Sequence, residues 1–176
     1  PELIAAFEEY GIPLFCSEKT DILQKNALAG ALGSLEALED GLSWSAVLSW
    51  LRRGLAGLGR DEVDRLENYC AQWNIGGEGW FSPFTMPTCG YGAPAPDEEA
   101  RLADINVLRA RTAELLTPFR EALRQCRDGA DFARALQEHL RDLGLEERLS
   151  DRCIALQKAG RGRESAETAQ LYHILQ

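Results

Sequence analysis

The fold is decided by residues 44–80, which read WSAVLSWLRRGLAGLGRDEVDRLENYCAQWNIGGEGW. In the first part of this stretch, apolar side chains recur at steps of four and three, the spacing of one helix face. They are Trp44, Leu48, Leu51, Leu55 and Leu58. The spacing predicts a helix that starts near Ser43 and buries this face. Three glycines within residues 54–59 each lower helix propensity by about 1 kcal/mol relative to alanine, so we expect the helix to end after Arg53.

A second amphipathic helix is predicted directly after the glycines. Asp61 belongs to the residue types preferred as N-caps. Apolar side chains then follow at steps of three, four and three: Val63, Leu66, Cys70 and Trp73. Gly76 and Gly77 are expected to end this helix. Two helices with apolar faces and a short connection predict a helical hairpin, around which the remaining helices are arranged.

The segments before the hairpin predict two more helices and one extended link. Residues 2–10 are helical in pattern, and residues 12–15 form a short extended segment because a proline disfavours helix at the residue before it. Residues 21–40 predict a helix with an aspartate cap. Gly30 and Gly33 inside this helix are expected to let another helix approach closely.

The segments after the hairpin predict an irregular loop and then further helices. Residues 76–96 lack helical periodicity. In this loop Trp80, Phe81 and Phe84 either cover the core, which we favour, or form a platform for base stacking. The later boundaries are expected at Asp97 as an N-cap, a restart at Thr117 and Pro118, helix ends at Gly129, Gly144 and Gly160, and a last helix over residues 164–176. Buried faces are expected through Phe132, Leu136, Leu140 and Leu143, and then through Leu145, Leu149, Cys153 and Leu156. The fold class is therefore all-α, an irregular multi-helix array with one short extended segment near the N-terminus.

Composition excludes several classes of protein. The 176 residues carry a formal net charge of −9, which argues against a surface that binds nucleic acid throughout. No apolar run approaches the roughly 18 residues of a transmembrane helix and no signal-peptide pattern is present, so we expect a soluble protein without membrane contact. Five cysteines without C-x-x-C spacing predict neither a zinc site nor a disulfide framework. Cys70, Cys126 and Cys153 are expected to be small core residues of a reduced, cytoplasmic protein.

The sequence offers no catalytic residue and no metal ligand. None of its lysines, at positions 19, 25 and 158, belongs to a G-x-x-x-x-G-K-[ST] phosphate loop or to the Glu-x-Lys pair of a magnesium-dependent nuclease. His139 lies on an apolar stripe, where a hydrogen-bonded core histidine is expected.

Two passages carry a family resemblance. Residues 51–58 (LRRGLAGL), 62–69 (EVDRLENY) and 73–76 (WNIG), followed by Trp80, resemble the helical segment of the B subunit of bacterial AddAB-type helicase–nucleases. Residues 7–15 (FEEYGIPLF) resemble the passage that precedes the inserted helical subdomain of UvrD-like superfamily-one helicases.

The resemblance is specific over residues 3–84 and extends beyond them only as a pattern. It implies a fragment of a larger protein, in which residues 1–20 are the edge of a motor-like domain and residues 21–176 are a helical domain equivalent to the inserted subdomain. The parent would act with an A subunit in DNA double-strand break repair and recombination, as an ATP-dependent exodeoxyribonuclease with magnesium and an iron–sulfur cluster. This piece would be inactive alone and would contribute scaffold and subunit contacts.

One candidate site for duplex DNA is the glycine turn of the hairpin, with Arg52, Arg53, Gly54, Gly57 and Arg60. Glycines leave backbone N–H groups accessible, and the N-terminus of the next helix favours an anion such as a phosphate. A glycine-bearing turn contacts duplex backbone in UvrD-like helicases, and the resemblance implies the same role here. Alternatively, the glycines only permit tight packing and the arginines are solvated.

A second function class also stays open, a self-standing helical protein-interaction module unrelated to DNA. In either case we expect the fragment to be a monomer or a weak dimer.

Overall fold

The computed structural model describes residues 7, 9–11, 26–93 and 96–174. The apolar faces predicted for residues 44–80 lie in one core, with Trp44 and Trp73 half-buried at its edge. The described part contains seven α-helices, one 3-10 helix and no strand, so the predicted all-α class is confirmed. The helices are α1 Asn26–Glu39, α2 Trp44–Arg52, α3 Arg60–Trp73, the 3-10 helix Gly77–Phe81, α4 Glu98–Gln125, α5 Gly129–Asp142, α6 Leu145–Lys158 and α7 Gly162–Ile174. The predicted extended segment at residues 12–15, the aspartate cap at position 21 and the domain boundary at residue 20 lie outside the described residues.

Helix α2 begins and ends where the sequence predicts. The Ser43 hydroxyl caps it by accepting a hydrogen bond from the Ala46 N–H at 3.3 Å. The helix ends at Arg52, and Gly54 follows with a φ of +85°, a left-handed conformation that favours glycine. Leu55 and Leu58 are buried although they lie in the turn. The apolar stripe therefore continues into the core after the helix has ended.

The start predicted for α3 is wrong by two positions. Gly59, not Asp61, is the N-cap residue, and the Glu62 carboxylate accepts a hydrogen bond from the Gly59 N–H at 2.7 Å. A glutamate at the third helical position can reach back in this way, which removes the need for a side chain on the cap itself. At the other end Asn74 takes the left-handed conformation, so α3 stops two residues before the expected Gly76.

The glycines of α1 allow close helix packing, as predicted. A Cβ atom on Gly30 would lie 2.9 Å from Leu55 Cδ1. A Cβ atom on Gly33 would lie 3.1 Å from Cδ1 of the buried Trp50 ring. Since real Cβ atoms rarely come this close to a neighbour, a larger residue at either position would force Leu55 or Trp50 to shift.

The loop after α3 covers the core with three of its aromatic rings and does not expose these three as a platform for base stacking. The 3-10 helix carries Trp80, which is 0% exposed and donates its indole N–H to the Leu42 carbonyl at 3.0 Å. Phe84 is also buried and stacks on Tyr69 with a centroid distance of 4.8 Å. Phe81 is half-buried beneath the Arg120 guanidinium. The favoured interpretation of the loop as a cover on the core is confirmed for these three rings.

Helix α4 contradicts the predicted restart at Thr117 and Pro118. It runs unbroken through both residues to Gln125. Proline removes one backbone donor and strains the preceding turn at a cost of about 3 kcal/mol. Leu116 and Phe119, on either side, are buried, and the Thr117 hydroxyl donates to the Ala113 carbonyl at 2.7 Å. Packing of this face keeps the helix continuous.

Two further expectations about α5 are wrong. Gly129 begins α5 instead of ending the helix before it, because Asp128 caps the new helix by accepting the Asp131 N–H at 2.8 Å. Phe132 is 37% exposed. It lies in the first turn of α5, before Ala135, where the buried part of the helix begins. The predicted end at Gly144 is confirmed by its left-handed φ of +64°.

His139 is a core histidine, as its position on the stripe predicts. Its Nε2 lies 2.8 Å from the Ser34 hydroxyl of α1, and its ring stacks on Phe119 at 4.1 Å. Of the cysteines expected in the core, Cys70 is buried, whereas Cys126 and Cys153 are only half-buried.

We predict that Gly33→Ala lowers the free energy of unfolding by about 1 to 2 kcal/mol, because overpacking against Trp50 outweighs the gain in helix propensity. Urea denaturation followed by tryptophan fluorescence measures this difference. The control is Gly129→Ala, where a new Cβ meets nothing within 4 Å and stability should stay the same or rise slightly. Equal effects of the two substitutions would contradict close packing of α1.

Burial lowers the pKa of His139 from 6.5 to about 4. Its unfolded form therefore binds a proton at a higher pH than its folded form, and stability falls as the pH drops below about 6.5. We predict a loss of about 2 kcal/mol between about pH 7.5 and about pH 5, measured by urea denaturation. The pKa values of Glu62 and Glu98 lie below their usual 4.5, so these carboxyls contribute little to the loss above about pH 5.

The matched control for that titration is His139→Gln, which cannot titrate. Its stability should change little over the same pH range, even if it is lower throughout. A pH dependence equal to that of the unsubstituted chain would show that another group is responsible.

Candidate functional site

The glycine turn between α2 and α3 has two positions whose backbone conformation favours glycine. Gly54 and Gly57 have φ angles of +85° and +69°, in the left-handed region. The Gly54 N–H donates to the Leu51 carbonyl at 3.1 Å, and the Gly59 N–H is bound to Glu62. These two amides of the turn are therefore already hydrogen-bonded within the chain.

Arg52 and Arg53, two of the predicted contact residues, bind other parts of the chain. Arg52 forms ion pairs with Glu67 and, at 3.6 Å, with Asp64. Arg53 donates to the Ala29 carbonyl and lies 3.1 Å from the Glu36 carboxylate. Arg52 thus joins α2 to α3, and Arg53 joins the turn to α1.

Arg60 has the opposite character. Its side chain is exposed, and no ion pair or hydrogen bond of its guanidinium occurs within the described ranges. It lies at a cleft of about 510 Å³ formed where the turn meets α3. The cleft is lined by Leu51, Arg52, Gly54, Leu58, Arg60, Val63 and Asp64. The structure therefore brings the predicted residues Arg52, Gly54 and Arg60 together at one cleft, while Arg53 points to α1.

Two arginines that sequence reasoning missed also reach the turn. Arg111 of α4 donates to the Gly57 carbonyl at 2.9 Å and to the Glu62 carboxylate at 2.8 Å. Arg148 of α6 donates to the Gly54 carbonyl at 2.9 Å. They are 54 and 94 positions from their glycine partners. No local pattern signals such distant pairs, so only the tertiary structure reveals them.

At the start of α3, where a helix N-terminus attracts an anion, the Glu62 carboxylate is already bound. The hydrogen bond from the Gly59 N–H, and then the Arg111 guanidinium, hold the pKa of Glu62 below its usual range. A helix N-terminus attracts an anion, and here Glu62 is that anion. The Gly59 N–H, directly before α3, is therefore not available to another anion.

The described residues do not fit the metal groups implied for the parent. Among them, no three His, Cys, Asp or Glu side chains are grouped so that they could hold a metal ion. Burial raises the pKa of the Cys70 thiol to about 12, which disfavours the thiolate that a metal needs. No helix in the described ranges combines the length and apolarity that crossing a lipid bilayer requires.

Comparison with known proteins gives one consistent result. No protein-family model matches the chain. The chain is 30% identical over 173 residues, 96% of its length, to the B subunit of the ATP-dependent helicase/deoxyribonuclease of Acetivibrio thermocellus, and equally to that of Ruminiclostridium cellulolyticum. It is 31% identical over 156 residues to the protein of the same name from Alkaliphilus metalliredigens. The chain spans about 15% of the length of the first two relatives and 13% of the third.

Proposed function

We propose that this chain, a homologue of one segment of the ATP-dependent helicase/deoxyribonuclease B subunits, is a non-catalytic helical scaffold that acts within such a subunit. The observation that carries the proposal is the alignment of 96% of the chain with only 15% of a much longer relative. A segment of that size, built from one continuous helical core, supports other parts of a large subunit. Through its parent the chain would serve DNA double-strand break repair and recombination.

The sequence supports a scaffold more than a motor or a nuclease. It has neither a phosphate-binding loop nor a Glu-x-Lys pair. ATP, magnesium and the iron–sulfur cluster would then be held by other parts of the parent complex. In this proposal the helical surface of the chain contacts the parent and its A subunit.

Contact with duplex DNA is a second part of the proposal, and Arg60 would be its main residue. An exposed guanidinium without a partner in the described part can bind a phosphate without first breaking an ion pair. Gly54 carries no side chain that would narrow the cleft beside it. Arg52 would contribute only after release from both Glu67 and Asp64, whereas Arg53 and Gly57 would shape the turn from the inside.

We predict that the 176-residue chain forms a 1:1 complex with the purified A subunit encoded by the same genome, measured by size-exclusion chromatography with light scattering. Alone, the chain should hydrolyse neither ATP nor DNA. The control is Leu66→Asp, which places a charge at a fully buried position and separates specific contact from adhesion of unfolded chain. Hydrolysis by the chain alone would disprove the non-catalytic role, and failure to form a complex would disprove the subunit contact.

We predict weak binding to a labelled DNA duplex that Arg60→Glu reduces, with the salt dependence of binding falling by about one counterion. Fluorescence anisotropy at low and moderate salt measures both quantities. The matched control is Arg152→Glu, the same charge change at an exposed position of α6. If the two substitutions weaken binding equally, only net charge matters and the turn is not a DNA contact.

A further inference from the structure

An apolar surface at the end of α3 includes the contacting rings of Trp73 and Tyr91, with Met86 in the same loop as Tyr91. Tyr91 is 94% exposed and Met86 is 44% exposed, both in the loop after the 3-10 helix. Trp73, the last residue of α3, is half-buried, and its ring meets that of Tyr91 edge-on at a centroid distance of 5.2 Å. We refer to Trp73, Met86 and Tyr91 as the loop patch. Exposed aromatic and methionine side chains grouped in this way are typical of contact surfaces.

The backbone beneath the loop patch is fixed by specific hydrogen bonds. The Tyr69 hydroxyl donates to the Met86 carbonyl at 3.0 Å and accepts from the Met86 N–H at 3.1 Å. The Trp73 indole N–H donates to the Pro87 carbonyl at 2.9 Å. The Thr88 hydroxyl donates to Glu98 of α4 at 3.0 Å. Residues 86–88 are therefore held against α3 and α4 before any partner arrives.

Gly90 completes this arrangement. Its φ of +71° is left-handed, and a Cβ atom there would overlap the Gln72 side-chain amide. The loop can therefore cross directly over α3 and place Tyr91 against Trp73. Because the loop backbone before it is fixed, the exposed Tyr91 ring emerges at a defined place beside α3.

A polar cleft of about 300 Å³ adjoins the loop patch between α3 and α4. It is lined by Arg65, Asn68, Tyr69, Gln72, Thr88, Arg101, Asp104 and Ile105. Arg101 is paired with Asp97 at 2.9 Å, but no carboxylate in the described ranges forms an ion pair with Arg65. The charge of Arg65 helps to lower the pKa of Glu62 on the same helix, but the two side chains form no ion pair. The Arg65 guanidinium and the two adjacent side-chain amides can therefore bind a single carboxylate.

Nucleic acid fits this surface less well than protein does. A phosphate backbone requires several uncompensated cations along its path. Here Asp104 lines the cleft and Asp97 neutralises Arg101, which leaves only Arg65. Tryptophan, tyrosine, methionine and arginine are the residues enriched where proteins bind proteins.

We infer that the loop patch and the adjoining cleft form the docking surface for a segment of a partner protein. The segment lays an apolar side chain on Trp73 and Tyr91 and directs an aspartate or glutamate toward Arg65. The inference deepens the proposed function. It rests on that function only for the identity of the partner protein that contains this segment, which would be the A subunit.

The first test selects binders from a displayed library of random dodecapeptides against the 176-residue chain. We expect the selected peptides to combine an acidic and a large apolar residue. Their affinity should fall about thirtyfold with Tyr91→Ala and about tenfold with Arg65→Glu, as for central interface residues. Ile154→Ala, at a 47% exposed position on α6, is the control and should leave affinity unchanged. Circular dichroism and urea denaturation should show all three variants to be folded.

Selected peptides that bind Tyr91→Ala as tightly as the unsubstituted chain, or that lack a carboxylate, would overturn the inference, as would a failure to select any. The A subunit is then titrated against the same variants. If Tyr91→Ala weakens binding of the A subunit and Ile154→Ala does not, the result supports both the surface and the A subunit as its partner. Binding unaffected by Tyr91→Ala overturns this surface and leaves the proposed subunit contact intact. If the A subunit does not bind the chain at all, while peptide binding still depends on Tyr91, the surface is supported and the subunit contact is refuted.

Discussion

The buried hydrogen bond from the Trp80 indole to the Leu42 carbonyl is the constraint on which the arrangement of the helices depends. Leu42 lies in the connection between α1 and α2, with a φ of +59°, and its carbonyl also accepts the Gly77 N–H at 3.2 Å. The chain after α3 is thereby joined to the chain before α2. Because Trp80 is fully buried, an unmade bond here would leave polar groups unpaired in the core. These hydrogen bonds hold the two ends of the α2–α3 hairpin together, Leu42 before α2 and Gly77 and Trp80 after α3.

The sequence predicted the parts of the fold that depend on short-range patterns. The steps of three and four that bring Leu48, Leu51 and Leu66 into the core are local, and so is the Ser43 cap. Errors arose where distant packing decides the outcome. Pro118 stays inside α4 because the neighbouring residues are buried, and Phe132 is exposed because the buried part of α5 begins after it. Local propensity is a weak guide at such positions.

The candidate site could be predicted only in part for the same reason. Its glycines and arginines are adjacent in sequence, and the left-handed turn follows from Gly54 and Gly57. Which arginine is available is decided elsewhere, since Arg52 binds α3 and Arg53 binds α1. Arg111 and Arg148 come from distant helices to hold the turn. The turn therefore joins α2 to α3 and is bound by residues of three further helices, α1, α4 and α6. Arg60 stays exposed at its edge.

A scaffold role requires the hairpin and its cover to open only when the whole core unfolds. The most direct measurement is hydrogen exchange of the Trp80 indole N–H by NMR, compared with the free energy of unfolding from denaturation. We expect this proton to exchange only through global unfolding, with a protection free energy equal to the free energy of unfolding of the whole chain. Exchange at a rate close to that of an exposed indole, while the amides of α2 and α3 stay protected, would contradict it.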